Sequence, residues 1–181
     1  MADVKFGKVL FTQEEITQRA KEIAAEIDKD YEGEEVLFLG TLKGSVLWLV
    51  DIMKYTTVDS KVDFISASSY GSGTSSSGIV KINIDPQINM YQKNVIVVED
   101  IIDSGYTLNY VMGKLRERGP KSLKICSMLN KQSRRIAAVE GDYVGFEVDD
   151  LFVIGYGLDY DQKYRGLPYI CYLDENDVDK L

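Results

Sequence analysis

Residues 95–108 read VIVVEDIIDSGYTL. The first four are β-branched and apolar without alternation, the pattern of a strand buried on both faces in a parallel sheet. Such a strand needs helices over both sides, so helices and strands should alternate around it. Directly after it come three carboxylates, Glu99, Asp100 and Asp103, then a turn of Ser104, Gly105, Tyr106 and Thr107. In an open parallel sheet, ligands bind where strands end. A strand that runs into Ser-Gly-X-Thr before a helix presents successive backbone N–H groups and two hydroxyls to a phosphate. Carboxylates beside a phosphate repel it unless a cation intervenes or they meet another part of the ligand. Glu99 and Asp100 therefore point to Mg²⁺ or a hydroxyl-rich sugar. Asp103, closer to the turn, is placed for a proton-bearing group.

Outward from this strand the chain keeps alternating. FTQEEITQRAKEIAAEI, residues 11–27, opens with Thr12 and carries Glu15 three positions on, a capping-box pattern. Ile16, Ala20, Ile23, Ala24 and Ile27 then recur at helical spacing. EVLFLG (35–40) is expected as a buried strand, SVLWLVDIMKY (45–55) as a helix and KVDFISASSY (61–70) as a strand. IVKINI (79–84) would return to close a long hairpin, with the Gly/Ser/Thr-only run GSGTSSSG (71–78) at its tip. TLNYVMGKLRERG (107–119) is expected as a helix with Leu108, Val111, Met112 and Leu115 on one face, ended by Gly119-Pro120. SLKICSML, YVGF, LFVIG and PYICYL supply further strands. No repeat or linker interrupts the series. The expectation is one α/β domain with a mainly parallel central sheet flanked by helices.

Three strand ends on one rim carry unusual loops: TLKGS (41–45), EDIIDSGYT (99–107) and YGLDYDQKYRG (156–166). They would gather Lys43, Glu99, Asp100, Asp103, Asp159, Lys163 and Arg165.

The composition narrows the chemistry. The chain has 181 residues, with 21 Lys and Arg against 29 Asp and Glu, a net charge of −8. So acidic a chain is poorly suited to nucleic acid, which demands a basic face. There is no histidine, which excludes His-dependent triads and His-ligated metals. Proton transfer must fall to Asp, Glu, Lys or Tyr, and any metal must be a hard ion held by oxygen. Cys126 and Cys171 have no metal-site spacing, and no apolar run approaches membrane-spanning length. A cytoplasmic, reduced protein with no membrane segment is expected.

VIVVEDIIDSGYTL resembles the phosphoribosyl-diphosphate signature of the type I phosphoribosyltransferases, and more narrowly their hypoxanthine-guanine branch. LKGS (42–45) is similar to that branch's pyrophosphate loop and SSYG (68–71) to its mobile catalytic loop. FVIGYGLDYDQKYRGLPYI is similar to its C-terminal hood, and LNK (129–131) to its purine-contacting segment. The resemblance implies a core of about residues 12–150, a hood of about 151–181 joined by N-terminal residues, and a lid at about 68–80. It also implies Mg²⁺, phosphoribosyl diphosphate with hypoxanthine or guanine as substrates, and IMP or GMP with pyrophosphate as products. A homodimer or homotetramer would follow.

Residue by residue, the resemblance implies that Glu99 and Asp100 bind ribose hydroxyls directly or through Mg²⁺, and that Asp103 takes the N7 proton of the purine. Ser104, Gly105, Tyr106 and Thr107 would hold the 5′-phosphate. Lys43 and Gly44 would face pyrophosphate in a loop built around a cis peptide. Arg165 would bind the leaving pyrophosphate and Asp159 a second Mg²⁺ through water. Lys131 would donate to the purine O6, Phe152 stack on the ring, and the Val153 backbone read its N1–C2 edge. Ser69 and Tyr70 would close over the site. Two positions depart from the branch: Tyr106 stands where mammalian relatives place lysine, and Ser45 where many have a second glycine. Tyr156, Tyr160, Tyr164 and Trp48 are expected to be structural. Rival readings are a diphosphate-sensing regulator of the same fold, which would need a nucleic-acid surface, and a xanthine-preferring or guanine-preferring transferase.

Overall fold

A computed structural model of the chain describes residues 8–69 and 80–173. Its first helix, α1 (Gln13–Asp30), begins as the capping pattern demands. The Thr12 hydroxyl accepts from Glu15 N–H at 3.2 Å, and the Glu15 carboxylate accepts from Thr12 N–H at 2.8 Å. Two orphan donors of the first turn are thereby satisfied. Ile16, Ala20, Ile23, Ala24 and Ile27 form the buried stripe.

That stripe packs on a six-stranded sheet in the order β4-β3-β2-β5-β6-β7. Its members are β2 (Val36–Thr41), β3 (Ser60–Ser69), β4 (Val80–Ile84), β5 (Asn94–Ile102), β6 (Ser122–Asn130) and β7 (Tyr143–Glu147). All neighbours run parallel except β3 and β4, the expected hairpin, whose tip at 70–79 lies outside the described residues. The centre strands β2 and β5 carry apolar side chains on both faces. One core layer joins α1 and α2 (Val46–Tyr55) through Phe38, Ile96, Val98 and Trp48. The other joins α3 (Tyr106–Arg116) through Leu37, Leu39, Val95 and Val97. Trp48 and Cys126 are core residues, and burial pushes the Cys126 thiol up to about 12.

Two expected strands sit elsewhere. Segments 151–155 and 168–173 form β8 (Phe152–Ile154) and β9 (Ile170–Leu173), which pair antiparallel in a separate three-stranded sheet. Its third member is an unanticipated strand, β1 (Lys8–Phe11), paired with β9. The third loop of the rim therefore descends from this small sheet and not from the central one. Phe11 stacks on Phe146 of β7 with ring centroids 4.0 Å apart, fastening the small sheet to the large one.

The outer edge strand β7 is met by a side chain from α1. Arg19 donates from Nη2 to the Val144 carbonyl at 2.9 Å and from Nε to the Gly145 carbonyl at 3.1 Å. Glu22 and Glu26 hold the guanidinium from its own helix. Among the described residues no helix is long and apolar enough to cross a membrane.

Candidate active site

Strand β5 is buried from Asn94 to Val98 and surfaces at its C-terminal end, delivering Glu99, Asp100 and then Asp103 to the rim of the sheet. A cavity of about 270 Å³ opens there, lined by Thr41, Glu99, Asp103 and the turn Ser104–Thr107 among others. α3 starts at Tyr106 behind Gly105, whose φ of 79° is left-handed, and its first turn points free N–H groups toward the same opening.

Glu99 is fixed from the neighbouring strand. The Thr41 hydroxyl shares its proton between Glu99 Oε1 at 2.6 Å and the Val98 carbonyl at 3.0 Å. Asp100 N–H donates to the same carboxylate at 3.1 Å. Burial, followed by the Asp100 charge, pushes the Glu99 carboxyl well above its ordinary range. Burial also raises Asp100, against the pull of donors from Glu99 and the Ile101 backbone. Two adjacent carboxyls cannot both ionise cheaply in so poorly hydrated a corner. A divalent cation would relieve them.

The loop after β2 lies against this pair. The Leu42–Lys43 peptide is cis. A β-carbon on Gly44 would fall 1.5 Å from Asp100 Oδ2, so only glycine admits the contact. Ser45, the second departure from the family pattern, is buried, and its hydroxyl donates to the Thr41 carbonyl at 2.7 Å, closing the loop on itself. Lys43 reaches across to the third loop, donating to Gln162 Oε1 at 3.1 Å. The same oxygen accepts from Arg165 Nη2 at 3.3 Å. Arg165 pairs with Asp159 at 2.6 Å and donates to the Gly157 carbonyl at 2.7 Å. Gln162 escaped the sequence reading because an exposed amide in a tyrosine-rich loop carries no distinguishing pattern.

Asp103 Oδ1 lies 2.9 Å from Arg134 Nε. The contact is electrostatic, since this oxygen is shielded from solvent yet accepts no aligned hydrogen bond. Arg134 also pairs with Asp150 at 3.1 Å, so one guanidinium ties the turn to the loop preceding β8. Lys131 is buried and leads a short 3₁₀ turn, and its ammonium has no ion-pair partner among the described residues. Phe152 is half exposed, with Tyr160 edge-on at 5.8 Å, so it is not a core residue; Val153 is buried. Tyr156 is structural, its hydroxyl donating to Asp51. Ser69 ends β3, and Tyr70 lies outside the described residues. Lys131, Phe152 and Val153 stand outside the cavity proper, as do Lys43 and Arg165. No cluster of three or more acidic or cysteine ligands forms a closed metal site among the described residues, and Asp159 is engaged by Arg165 and by Gln162 N–H.

The phosphoribosyl transferase domain model matches residues 8–161. The chain is 45% identical over 163 residues to the hypoxanthine-guanine phosphoribosyltransferase of Bacillus subtilis, covering 90% of this chain and 91% of that protein. It is 42% identical over 180 residues to the enzyme of the same name from Streptococcus thermophilus, covering 99% and 100%. Among solved structures, a hypoxanthine phosphoribosyl transferase from Trypanosoma cruzi superposes with a TM-score of 0.94 at 37% identity, covering 99% of this chain and 98% of that one.

Proposed function

The chain belongs to the phosphoribosyl transferase family, and from that premise we propose that it moves the 5-phosphoribosyl group of phosphoribosyl diphosphate onto hypoxanthine or guanine. The products are IMP or GMP and pyrophosphate, a purine salvage reaction. One observation carries the reading: a single cavity holds a phosphate-type turn at a helix start beside Glu99 and Asp103.

In this reading the turn 104–107 grips the 5′-phosphate and the carboxylates of Glu99 and Asp100 face the ribose. Displacement at the anomeric carbon develops positive charge on the ribose ring, and fixed carboxylates stabilise it. Asp103, past the end of β5, accepts the purine N7 proton as the new bond forms at N9. Lys131 donates to O6 of the base, Phe152 covers its ring, and the Val153 backbone meets the N1–C2 edge. Lys43, the Gly44 backbone and Arg165 receive the pyrophosphate. Ser69 and Tyr70 belong to a lid that keeps water from the reacting carbon.

The donor set suits Mg²⁺. Glu99 and Asp100 offer oxygen alone, and with too few protein ligands for a closed cage the substrate's oxygens and water must complete the shell. When bound there, or near Asp159, the ion would neutralise and orient the diphosphate. We further assign the protein to the cytoplasm, consistent with the buried thiol of Cys126 in the core. A homodimer or homotetramer is supported by apolar side chains left exposed, including Val50, Val62 and Tyr91.

The test is a spectrophotometric assay with the diphosphate, Mg²⁺ and each of hypoxanthine, guanine, xanthine and adenine. Turnover with the 6-oxo purines that vanishes in excess chelator and returns with Mg²⁺ is expected. Full activity in chelator would sink the metal-dependent mechanism.

A further inference from the structure

Arg135 is a cation buried against backbone carbonyls, with its ion pair at the protein surface. Its side chain is 7% exposed and pairs at 3.5 Å with the Glu140 carboxylate, which is itself 63% exposed. The guanidinium also donates to neutral oxygens. Nε bonds the Asp103 carbonyl at 3.1 Å and Nη2 the Ile102 carbonyl at 3.3 Å, while Nη1 reaches the Val139 carbonyl and Nη2 also meets Asn130 Oδ1. An arginine stays charged in any protein environment, so a buried one whose acid is largely solvated draws on further partners.

The carbonyls it selects are informative. Those of Ile102 and Asp103 accept from Arg135, and that of Ser104 accepts from Ile136 N–H and Ala137 N–H, each at 3.0 Å. Ile102 also accepts from Lys131 N–H at 2.9 Å. Three successive carbonyls are therefore turned toward one side, the segment 131–137. In a planar trans peptide the N–H points opposite to the C=O of the same unit. The N–H groups of Asp103, Ser104 and Gly105 consequently face away from that segment, on the side where these residues line the cavity. None of the three donates to a backbone acceptor among the described residues. Gly105 is pressed onto the same support, for a β-carbon there would come within 2.6 Å of Val139 Cγ1.

We propose that Arg135 is a positioning residue for the phosphate turn: it pulls the carbonyls of residues 102 and 103 inward, so that the N–H groups behind them are aimed at the 5′-phosphate. Its buried charge, only partly offset by the exposed Glu140 carboxylate, adds attraction for that phosphate. This also accounts for a turn that works with Tyr106, half exposed and uncharged, at the position where a basic side chain could stand. The inference rests on the reading of residues 104–107 as the 5′-phosphate site.

The experiment compares Arg135→Lys and Arg135→Ala with the wild type by calorimetric titration of IMP, inosine and inorganic pyrophosphate with Mg²⁺. Lysine keeps the charge but loses the planar fork that reaches several carbonyls at once. The preference of the wild type for IMP over inosine should shrink by about tenfold in Arg135→Lys and further in Arg135→Ala, the size of losing hydrogen bonds to a charged group. Pyrophosphate affinity should stay within about twofold, since Lys43 and Arg165 belong to other loops. Millimolar guanidinium should restore part of the preference in Arg135→Ala. If the lysine variant keeps the full preference, or if IMP and pyrophosphate weaken together, the inference is overturned and Arg135 is general scaffolding. If the wild type itself binds IMP no better than inosine, the phosphate-site reading fails first, a distinguishable result.

Discussion

Gly157, in the loop after β8, lies so close to Gly44 of the loop after β2 that a β-carbon on it would come within 1.9 Å of the Gly44 carbonyl oxygen. Its φ of 99° is left-handed as well. Gly157→Ala should therefore cost about 2–4 kcal/mol from backbone strain and overpacking together. Because the displaced loop carries Arg165, kcat/KM for the diphosphate should fall too. Gly166 in the same segment has open space where a β-carbon would go, and Gly166→Ala should stay within about 0.5 kcal/mol of wild type. Thermal melts and steady-state kinetics on the two variants check the contrast.

Asp103→Asn removes a proton acceptor while preserving shape. If the carboxylate takes the purine proton, kcat should drop by about 10²–10⁴-fold with little change in KM for the diphosphate. A variant that loses mainly diphosphate affinity would make Asp103 a ribose or metal ligand instead.

Asp30 ends α1 and accepts from Lys124 Nζ at 2.8 Å and from the Tyr143 hydroxyl at 2.7 Å. The lysine first and the tyrosine second hold its carboxyl below the ordinary range. A depressed carboxyl contributes stability above its unfolded pKa and loses it as pH falls through the folded one. The group is largely exposed, so screening limits the effect to about 1 kcal/mol or less. Urea unfolding of Asp30→Asn should fall below wild type at pH 7 and meet it near pH 2. A gap that persists in acid would assign the difference to packing.

In the proposed reading, base choice rests on Lys131. An ammonium donates and never accepts, so it suits a 6-oxo purine and opposes the 6-amino group of adenine. In a closed site such a mismatch discriminates more strongly than a missing methylene. Hypoxanthine and guanine should react, with hypoxanthine first or equal, and adenine should not. Xanthine should be poor, because its 2-oxo group would face backbone carbonyls near Val153. Lys131→Met should lower kcat/KM for both 6-oxo purines; wild-type values in that variant would dismiss Lys131 as the O6 contact.

What could be read from the sequence was what rests on short-range periodicity. The Ile16–Ile27 stripe, the α3 face and the buried run of β5 each repeat at intervals that one element satisfies by itself. β1 could not be read this way. KVLF is too short to show a pattern, and its partner Ile170–Leu173 lies near the other end of the chain. β8 and β9 look like core strands because they are apolar, and only pairing direction distinguishes them from the central sheet. Within the site, acidic residues at a strand end were conspicuous because charge seldom follows such a run. Arg135 was not, since one of two adjacent arginines in a polar stretch looks solvated until its neighbours in space are known.

The arginine that reaches from α1 to β7 has a consequence for the behaviour of the protein at high concentration. A strand at the margin of a sheet offers its unused carbonyls to any stray strand, and that is how sheets of different molecules knit into aggregates. Arg19 donates to two backbone carbonyls of β7, those of Val144 and Gly145, and brings a positive charge to the margin. It acts as a selvedge, finishing the weave at the side where the described residues place no further strand.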